Sequence, residues 1–375
     1  VSSCSDGTLI PVITANSVTD DATNAGPAVN PSADRTAGPI VVDRTAPVAS
    51  FTTVPAARSH GTLSYVLHFN EAIITTANAA ESLSASDFSN SGTATGCSIS
   101  IAAIASTNDY TITVASCSNG TVSLTLADDA VQDIATNTGQ VGIIAAGVTV
   151  DNTAPTVSFT TAPGAYVTTT STHFVATFSE SVTGITAASF AKTGTSCAIT
   201  NYSATSASVY QFDLSGCADG ATATVTLAAN AATDLAGNTG PATALTVSTI
   251  FDRTAPTVSS FTTGLTSPTN VDPLTYTLTF SEQVTGLTDT DFNVVGCSAT
   301  PTITTSNNIS YAISLAGCAT ATTVSINLKA NMVADLAGNI GSASASNTIA
   351  LVTDYVAPTV VSFTTAHNST TNANP

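Results

Sequence analysis

The sequence predicts an all-β chain of tandem sandwich domains, and three observations carry that prediction. A six-residue phrase returns about every hundred residues, apolar residues alternate with Thr, Ser and Asn over short runs, and cysteines recur in pairs. A period near one hundred is far longer than a solenoid repeat and suits one independently folding sandwich.

The phrase first reads Val42-Asp43-Arg44-Thr45-Ala46-Pro47. It returns as Val150-Asp151-Asn152-Thr153-Ala154-Pro155, as Phe251-Asp252-Arg253-Thr254-Ala255-Pro256 and, more weakly, as Thr353-Asp354-Tyr355-Val356-Ala357-Pro358, so its prolines stand 108, 101 and 102 residues apart. Other features keep a fixed order within each interval. Phe-Thr-Thr begins at Phe51, Phe159, Phe261 and Phe363, and Phe-Ser/Asn-Glu ends at Glu71, Glu180 and Glu282. A cysteine pair follows, and then Asp-x-Ala-x-Asn-x-Gly over 133–139, 234–240 and 335–341. Taken as a boundary, the phrase marks whole repeats at 42–150, 151–251 and 252–354. Residues 1–41 read as the C-terminal half of an earlier repeat, because Val1 to Cys4 aligns with Val114 to Cys117, and 355–375 as the N-terminal strand of a later one. The parent protein is expected to be longer.

For the middle repeat, alternation predicts strand A near 156–161, B near 173–179, C near 188–193, D near 197–204, E near 209–216, F near 221–228 and G near 242–251. In the other repeats Leu274, Tyr276, Leu278 and Phe280 share one face, as do Tyr110, Ile112 and Val114, and Val122, Leu124 and Leu126. Clusters of Gly, Asn, Ser and Asp break these runs, and no helical period of useful length occurs. Seven antiparallel strands in two sheets form an immunoglobulin-like sandwich, and such units joined end to end give an extended array.

Composition narrows the function. Only 8% of residues are charged, with six basic against 24 acidic residues and a net charge of -18, which excludes a nucleic-acid binder. No apolar stretch approaches the ~20 residues that span a bilayer, so no membrane insertion is expected in this segment. An enzyme is not expected either. The histidines His60, His68, His173 and His367 do not recur at matching repeat positions, and the chain has no Gly-x-Ser-x-Gly, no His-Glu-x-x-His and no phosphate-cradling glycine loop. Lys192 and Lys329 occupy different strands, which excludes a repeated Lys–Asn isopeptide bond. Asn119, Asn201, Asn308 and Asn368 stand in Asn-x-Ser/Thr sequons, which a chain this rich in Ser and Thr produces by chance.

The cysteines predict compartment. Cys97 with Cys117, Cys197 with Cys217 and Cys297 with Cys318 recur at separations of 20, 20 and 21, with no Cys-x-x-Cys and no adjacent His to suggest zinc. The first of each pair stands where strand D begins and the second where E ends, so one disulfide closes each D–E hairpin. Cys4 holds the second position of a repeat whose first cysteine lies outside the chain. An extracellular location, secreted or on a cell surface, follows from this usage.

Strand parity places the acids. Strands B, D and F run back toward the N-terminal pole of a sandwich, so the loops after B and F lie there with the incoming linker. Three clusters are expected: Asp43 with Glu71 and Asp133, Asp151 with Glu180 and Asp234, and Asp252 with Glu282 and Asp335. Hard oxygen ligands of this kind suit Ca2+, at one ion per junction. In the metal-free alternative, Arg44 and Arg253 pair with the same carboxylates.

The succession Thr-Ala-Pro-Thr-Val, then Phe-Ser-Glu-x-Val-Thr-Gly with a following Asp-Phe or Ser-Phe, then Asp-Leu-Ala-Gly-Asn resembles the bacterial Ig-like repeats that build the stalks of very large secreted surface proteins and adhesins. Residues 178–190 and 280–292 carry the resemblance best. The first repeat departs from it, with Phe69-Asn70-Glu71-Ala72-Ile73 and Asp133-Ile134-Ala135-Thr136-Asn137. The resemblance implies a structural role and, as in some relatives, calcium between domains. The paired cysteines are not part of it. The expected function is a stalk or filament-forming segment that spans distance and bears load, with copies of itself as lateral partners in a fibre. The alternative is a ligand-binding adhesin segment whose loops recognise a surface carbohydrate or protein.

Overall fold

The computed structural model describes residues 4–14, 17–23, 25–26, 35–36, 38–75, 83–341 and 346–364. Among them the regular structure is β-strand throughout, apart from three single turns of 3-10 helix. Three hydrophobic cores form, drawn from residues 49–150, 157–251 and 258–351, and they share no residue.

The second sandwich is the most regular. Its strands are A (Val157–Thr161), B (Ser171–Phe178), C (Phe190–Thr193), D (Ala198–Ser206), E (Val209–Ser215), F (Thr222–Leu227) and G (Leu245–Phe251). One sheet has the order A-B-E-D, and the other has C, F and G with Tyr166–Val167 added in parallel beside G. Each of the seven falls on a predicted strand. Tyr166–Val167 was not foreseen, since a two-residue strand carries no period to read.

Alternation decides what is buried. Phe174, Ala176 and Phe178 of B point inward with Tyr210, Phe212 and Leu214 of E and Ala223, Val225 and Leu227 of F. The rings of Phe174 and Phe212 stack with centroids 5.1 Å apart. Burying one such side chain fully is worth about 1.5–3 kcal/mol. Threonines and serines take the outward positions and pair with each other, as in Thr224 with Ser248 at 2.9 Å and Thr226 with Thr246 at 3.2 Å.

The third sandwich repeats the plan, with A-B-E-D over Val258–Thr262, Leu274–Phe280, Ser310–Leu315 and Thr302–Thr305, facing Phe292–Val295, Thr322–Leu328 and Ile349–Thr353. In the first, F is divided into Gly120–Val122 and Leu124–Leu126 and G into Ile143–Ile144 and Val148–Val150. Strand C of every sandwich follows a 3-10 turn, at Ala85–Asp87, Ala187–Ser189 and Asp289–Asp291. Each turn opens on a reciprocal cap, in which the N–H of Ser84, Thr186 or Thr288 donates to the side chain three residues on.

Disulfides join Cys97 to Cys117, Cys197 to Cys217 and Cys297 to Cys318. In the second sandwich the first D–E pair, Ala198 with Ser215, lies directly beside the bond, which closes the hairpin's open end. Near the N-terminus Gly7–Leu9 pairs with Ile40–Val42 in the register that joins Gly120 to Val150. Residues 355–364 form no strand, and His367 and Asn368 lie outside the described residues.

Candidate metal centre

Short secondary strands assemble the N-terminal pole. Val182–Thr183, just beyond Glu180, pairs with Ala232–Asp234, which pairs in turn with Thr239–Gly240. Ile73–Thr75 with Val131–Asp133 does the same for the first sandwich, and Val333–Ala334 with Ile340–Gly341 belongs to the third. The linker aspartate completes each group. One carboxylate oxygen each from Asp43, Glu71 and Asp133, from Asp151, Glu180 and Asp234, and from Asp252, Glu282 and Asp335 lie within 4.8 Å of one another. The first group borders a cavity of about 350 Å3 lined also by Val41, Ala72, Ile134 and Ala135.

The three acids of a group play different parts. Asp234 is only 4% exposed, and its Oδ1 accepts the N–H groups of Ala236, Gly237 and Asn238 at 2.8, 2.7 and 2.8 Å. Its Oδ2 accepts Asn238 Nδ2 at 2.8 Å. Burial alone would raise this carboxyl, but the hydrogen bonds from Asn238, Ala236 and Gly237 outweigh it and hold the group below its ordinary value. The carboxylate is thus fixed in place as a charged acceptor.

Asn238 has a second task, since its Nδ2 also donates to the backbone oxygen of Asp151 in the linker at 2.8 Å. Asn137 and Asn339 do the same to Asp43 and Asp252, both at 2.9 Å. The linker aspartates in turn accept the N–H of the threonine two residues on, at 3.1, 3.0 and 3.3 Å. The closing glycine of the motif lets the linker lie flat on this loop. A Cβ at Gly240 would stand 2.1 Å from the oxygen of Pro155, and one at Gly341 2.0 Å from that of Pro256.

No hydrogen bond or ion pair reaches Glu71, Glu180 or Glu282 among the described residues. Burial pushes each of these carboxyls up, and the neighbouring aspartates push further: Asp43 and Asp133 on Glu71, Asp234 and Asp151 on Glu180, Asp252 and Asp335 on Glu282. Arg58 of the first sandwich opposes the rise at Glu180, while Asp219 of the second adds to it at Glu282. Each pole therefore gathers three carboxylates, one of them without a bonded partner. Such a set fits a hard divalent cation with oxygen ligands.

Arg253 does not take the place considered for it in the metal-free alternative. Its N–H and Nε face Asp219 Oδ1 at 2.7 and 3.6 Å, and Nη1 and Nη2 donate to the oxygens of Thr169 and Cys217 at 3.4 and 3.1 Å. The side chain is turned toward the preceding sandwich, where a carboxylate and two carbonyls satisfy it. The asparagine of the motif was not singled out as a linker-binding residue from the sequence, although its fixed place four residues after the aspartate was a signal.

Comparison with known proteins gives a family for one repeat. Residues 252–351 match the model of the bacterial Ig-like domain. Among curated proteins none matches the chain. Solved structures similar to it include invasin, a bacterial integrin-binding protein, at 10% identity over 86% of this chain and 63% of that one, with a TM-score of 0.32. The N-terminal part of the bacterial S-layer protein SbsC is 13% identical over 54% of this chain and 44% of that one, with a TM-score of 0.19. A marsupial T cell receptor is 10% identical over 81% of this chain and 99% of that one, with a TM-score of 0.25. The chain spans less than two thirds of the invasin and SbsC structures. The family match therefore covers the repeat at 252–351, which is similar to the bacterial Ig-like domain.

Proposed function

We propose that this chain is a load-bearing stretch of a large repetitive extracellular protein, a stalk or filament segment whose joints each take one Ca2+. The observation that carries this reading is the recurrence of one acidic triad at three successive joints, each time with an acid from the linker itself. A site that includes the linker acts on the angle between sandwiches, which is where a stalk needs control. When bound, a divalent cation supplies the positive charge that offsets three converging carboxylates. The chain's own residues do the remainder: Asn137, Asn238 and Asn339 hold the linker backbone, and Asp133, Asp234 and Asp335 are fixed by their hydrogen bonds. Disulfides add covalent closure to cores that contain no Trp. Lateral packing of copies through edge strands A and D, which carry no charged residue in any of the three sandwiches, completes the reading.

Calorimetric titration of the whole chain with Ca2+, alongside small-angle scattering in Ca2+ and in EDTA, tests it. Saturable binding to three sites and a longer, narrower particle in Ca2+ are expected. Absence of heat together with superimposable scattering in the two buffers overturns it.

A further inference from the structure

A separate set of contacts holds the opposite pole of each unit to the linker that leaves it, and it recurs four times. The residue two places after the second cysteine is Asp6, Asn119, Asp219 or Thr320. Its side chain accepts the backbone N–H of the residue that follows the junction aspartate: Arg44 at 2.9 Å, Asn152 at 2.8 Å, Arg253 at 2.7 Å and Tyr355 at 3.0 Å. Where the side chain has a two-atom head, the second atom meets the hydroxyl of the next linker residue. Asp6 Oδ2 accepts from Thr45 and Asp219 Oδ2 from Thr254, while Asn119 Nδ2 donates to Thr153 Oγ1 at 2.6 Å. Thr320 has a single oxygen, and the next linker residue there is Val356, which has no hydroxyl.

The linker residue's own head is matched as well. Asn152 donates from Nδ2 to the Cys117 oxygen at 3.1 Å and accepts the Gly61 N–H on Oδ1 at 2.9 Å. Arg253 has only donors, and it meets two carbonyls, those of Cys217 and Thr169. Gly61 and Thr169 are equivalent positions, each two residues beyond the short strand that pairs in parallel with G. An amide thus faces one donor and one acceptor, and a guanidinium faces two acceptors. The residue types follow the same rule, with Asp6 and Arg44, Asp219 and Arg253, Asn119 and Asn152, and Thr320 and Tyr355 sharing a joint; the carboxylate meets the guanidinium itself at Asp219 and Arg253.

We propose that the pole bearing the second cysteine is a recognition surface for the outgoing linker, reading the residue after the junction aspartate so that each sandwich seats its own linker and rejects that of the neighbouring repeat. Tandem chains of similar domains misassemble between repeats as their characteristic failure, and a matched joint counters it. Mismatch has a direct cost here. Asn119 Nδ2 lies 3.4 Å from Asp151 Oδ1, so a carboxylate at 119 without an arginine at 152 would set two like charges together.

Amide hydrogen exchange on the whole chain, run in EDTA so that no cation contributes, tests the reading with Asn119→Asp, Asn152→Arg and the double variant. Each single change is expected to speed exchange of the 152 and 153 amides about tenfold, and the double variant to recover most of that loss, while core amides of strands B and E keep their protection. Additive single effects with no recovery overturn the proposal, as does wild-type exchange in both single variants. If a variant at the first joint does not fold, Asp219→Asn and Arg253→Asn at the next joint form the same cycle, read at amides 253 and 254.

Discussion

Asp234 and Glu180 lie in one cluster and are opposite electrostatic cases. The folded pole lowers Asp234, so its contribution to stability is present above the ordinary carboxylate value and is lost as pH falls through the lowered one. Glu180 is raised, so the folded state binds its proton more tightly, and that benefit is lost as pH rises through the raised value. At neutral pH, therefore, Glu180 carries the uncompensated charge. Glu180→Gln in EDTA should stabilise the second sandwich at pH 7 by up to about 0.5 kcal/mol, a small figure because solvent screens a partly exposed group. The advantage should shrink as pH is lowered toward the ordinary value of 4.5, and in Ca2+ the order should reverse. Thermal melting between pH 7 and pH 4 checks this, and identical curves throughout would remove charge strain from the account. The triad could be read from the sequence because strand parity alone decides which loops share a pole. The direction of Arg253 could not. A long side chain selects its partner from whatever the fold brings near, here Asp219, 34 residues earlier in the chain.

At the scale of elements, periodicity was informative where it was long. Strands B, E and F of the second sandwich each alternate over six to eight residues, and all three were placed correctly. The secondary strands that carry the acids, such as Val182–Thr183 and Ala232–Asp234, are two or three residues long and exist through tertiary pairing, so no local pattern announces them. The break in strand F of the first sandwich at Ser123 has a similar origin: its N–H is taken by Asn90 Oδ1 at 2.9 Å, a partner from that sandwich's strand C, Phe88–Asn90. The D–E hairpin is the element whose closure was legible in full, because both cysteines sit at its predicted ends. Removing that bond with Cys197→Ala and Cys217→Ala together should cost the second sandwich about 3 kcal/mol, the loop-closure value for this size. In denaturant titration of the whole chain only that sandwich's transition should move. An unchanged midpoint would mean that the hairpin is closed equally well by its own pairing.

For the molecule as a whole, the path of force is set by where the chain enters and leaves a sandwich. Strand A begins at the pole that receives one linker and strand G ends at the pole that passes to the next, so tension pulls them in opposite directions. Tyr166–Val167 and Arg58–Ser59 pair with G in parallel, and Thr269 bridges to Thr353 in the same sense. Opposed pulling on a parallel pair shears its hydrogen bonds, which must then break together rather than one at a time. Past that point the disulfide limits how far the chain can run out, since the residues between Cys197 and Cys217 stay closed within a loop of separation 20. At about 3.5 Å per extended residue, each such loop hides roughly 70 Å of contour length. Single-molecule extension of the whole chain should therefore give steps that each lengthen by about that amount when a reductant is added, with the force of the first rupture little changed. Steps of the same length in both conditions would place the cysteines outside the stretched path. A fall in rupture force on reduction would instead make the D–E hairpin, and not the parallel pair beside G, the part that resists the load.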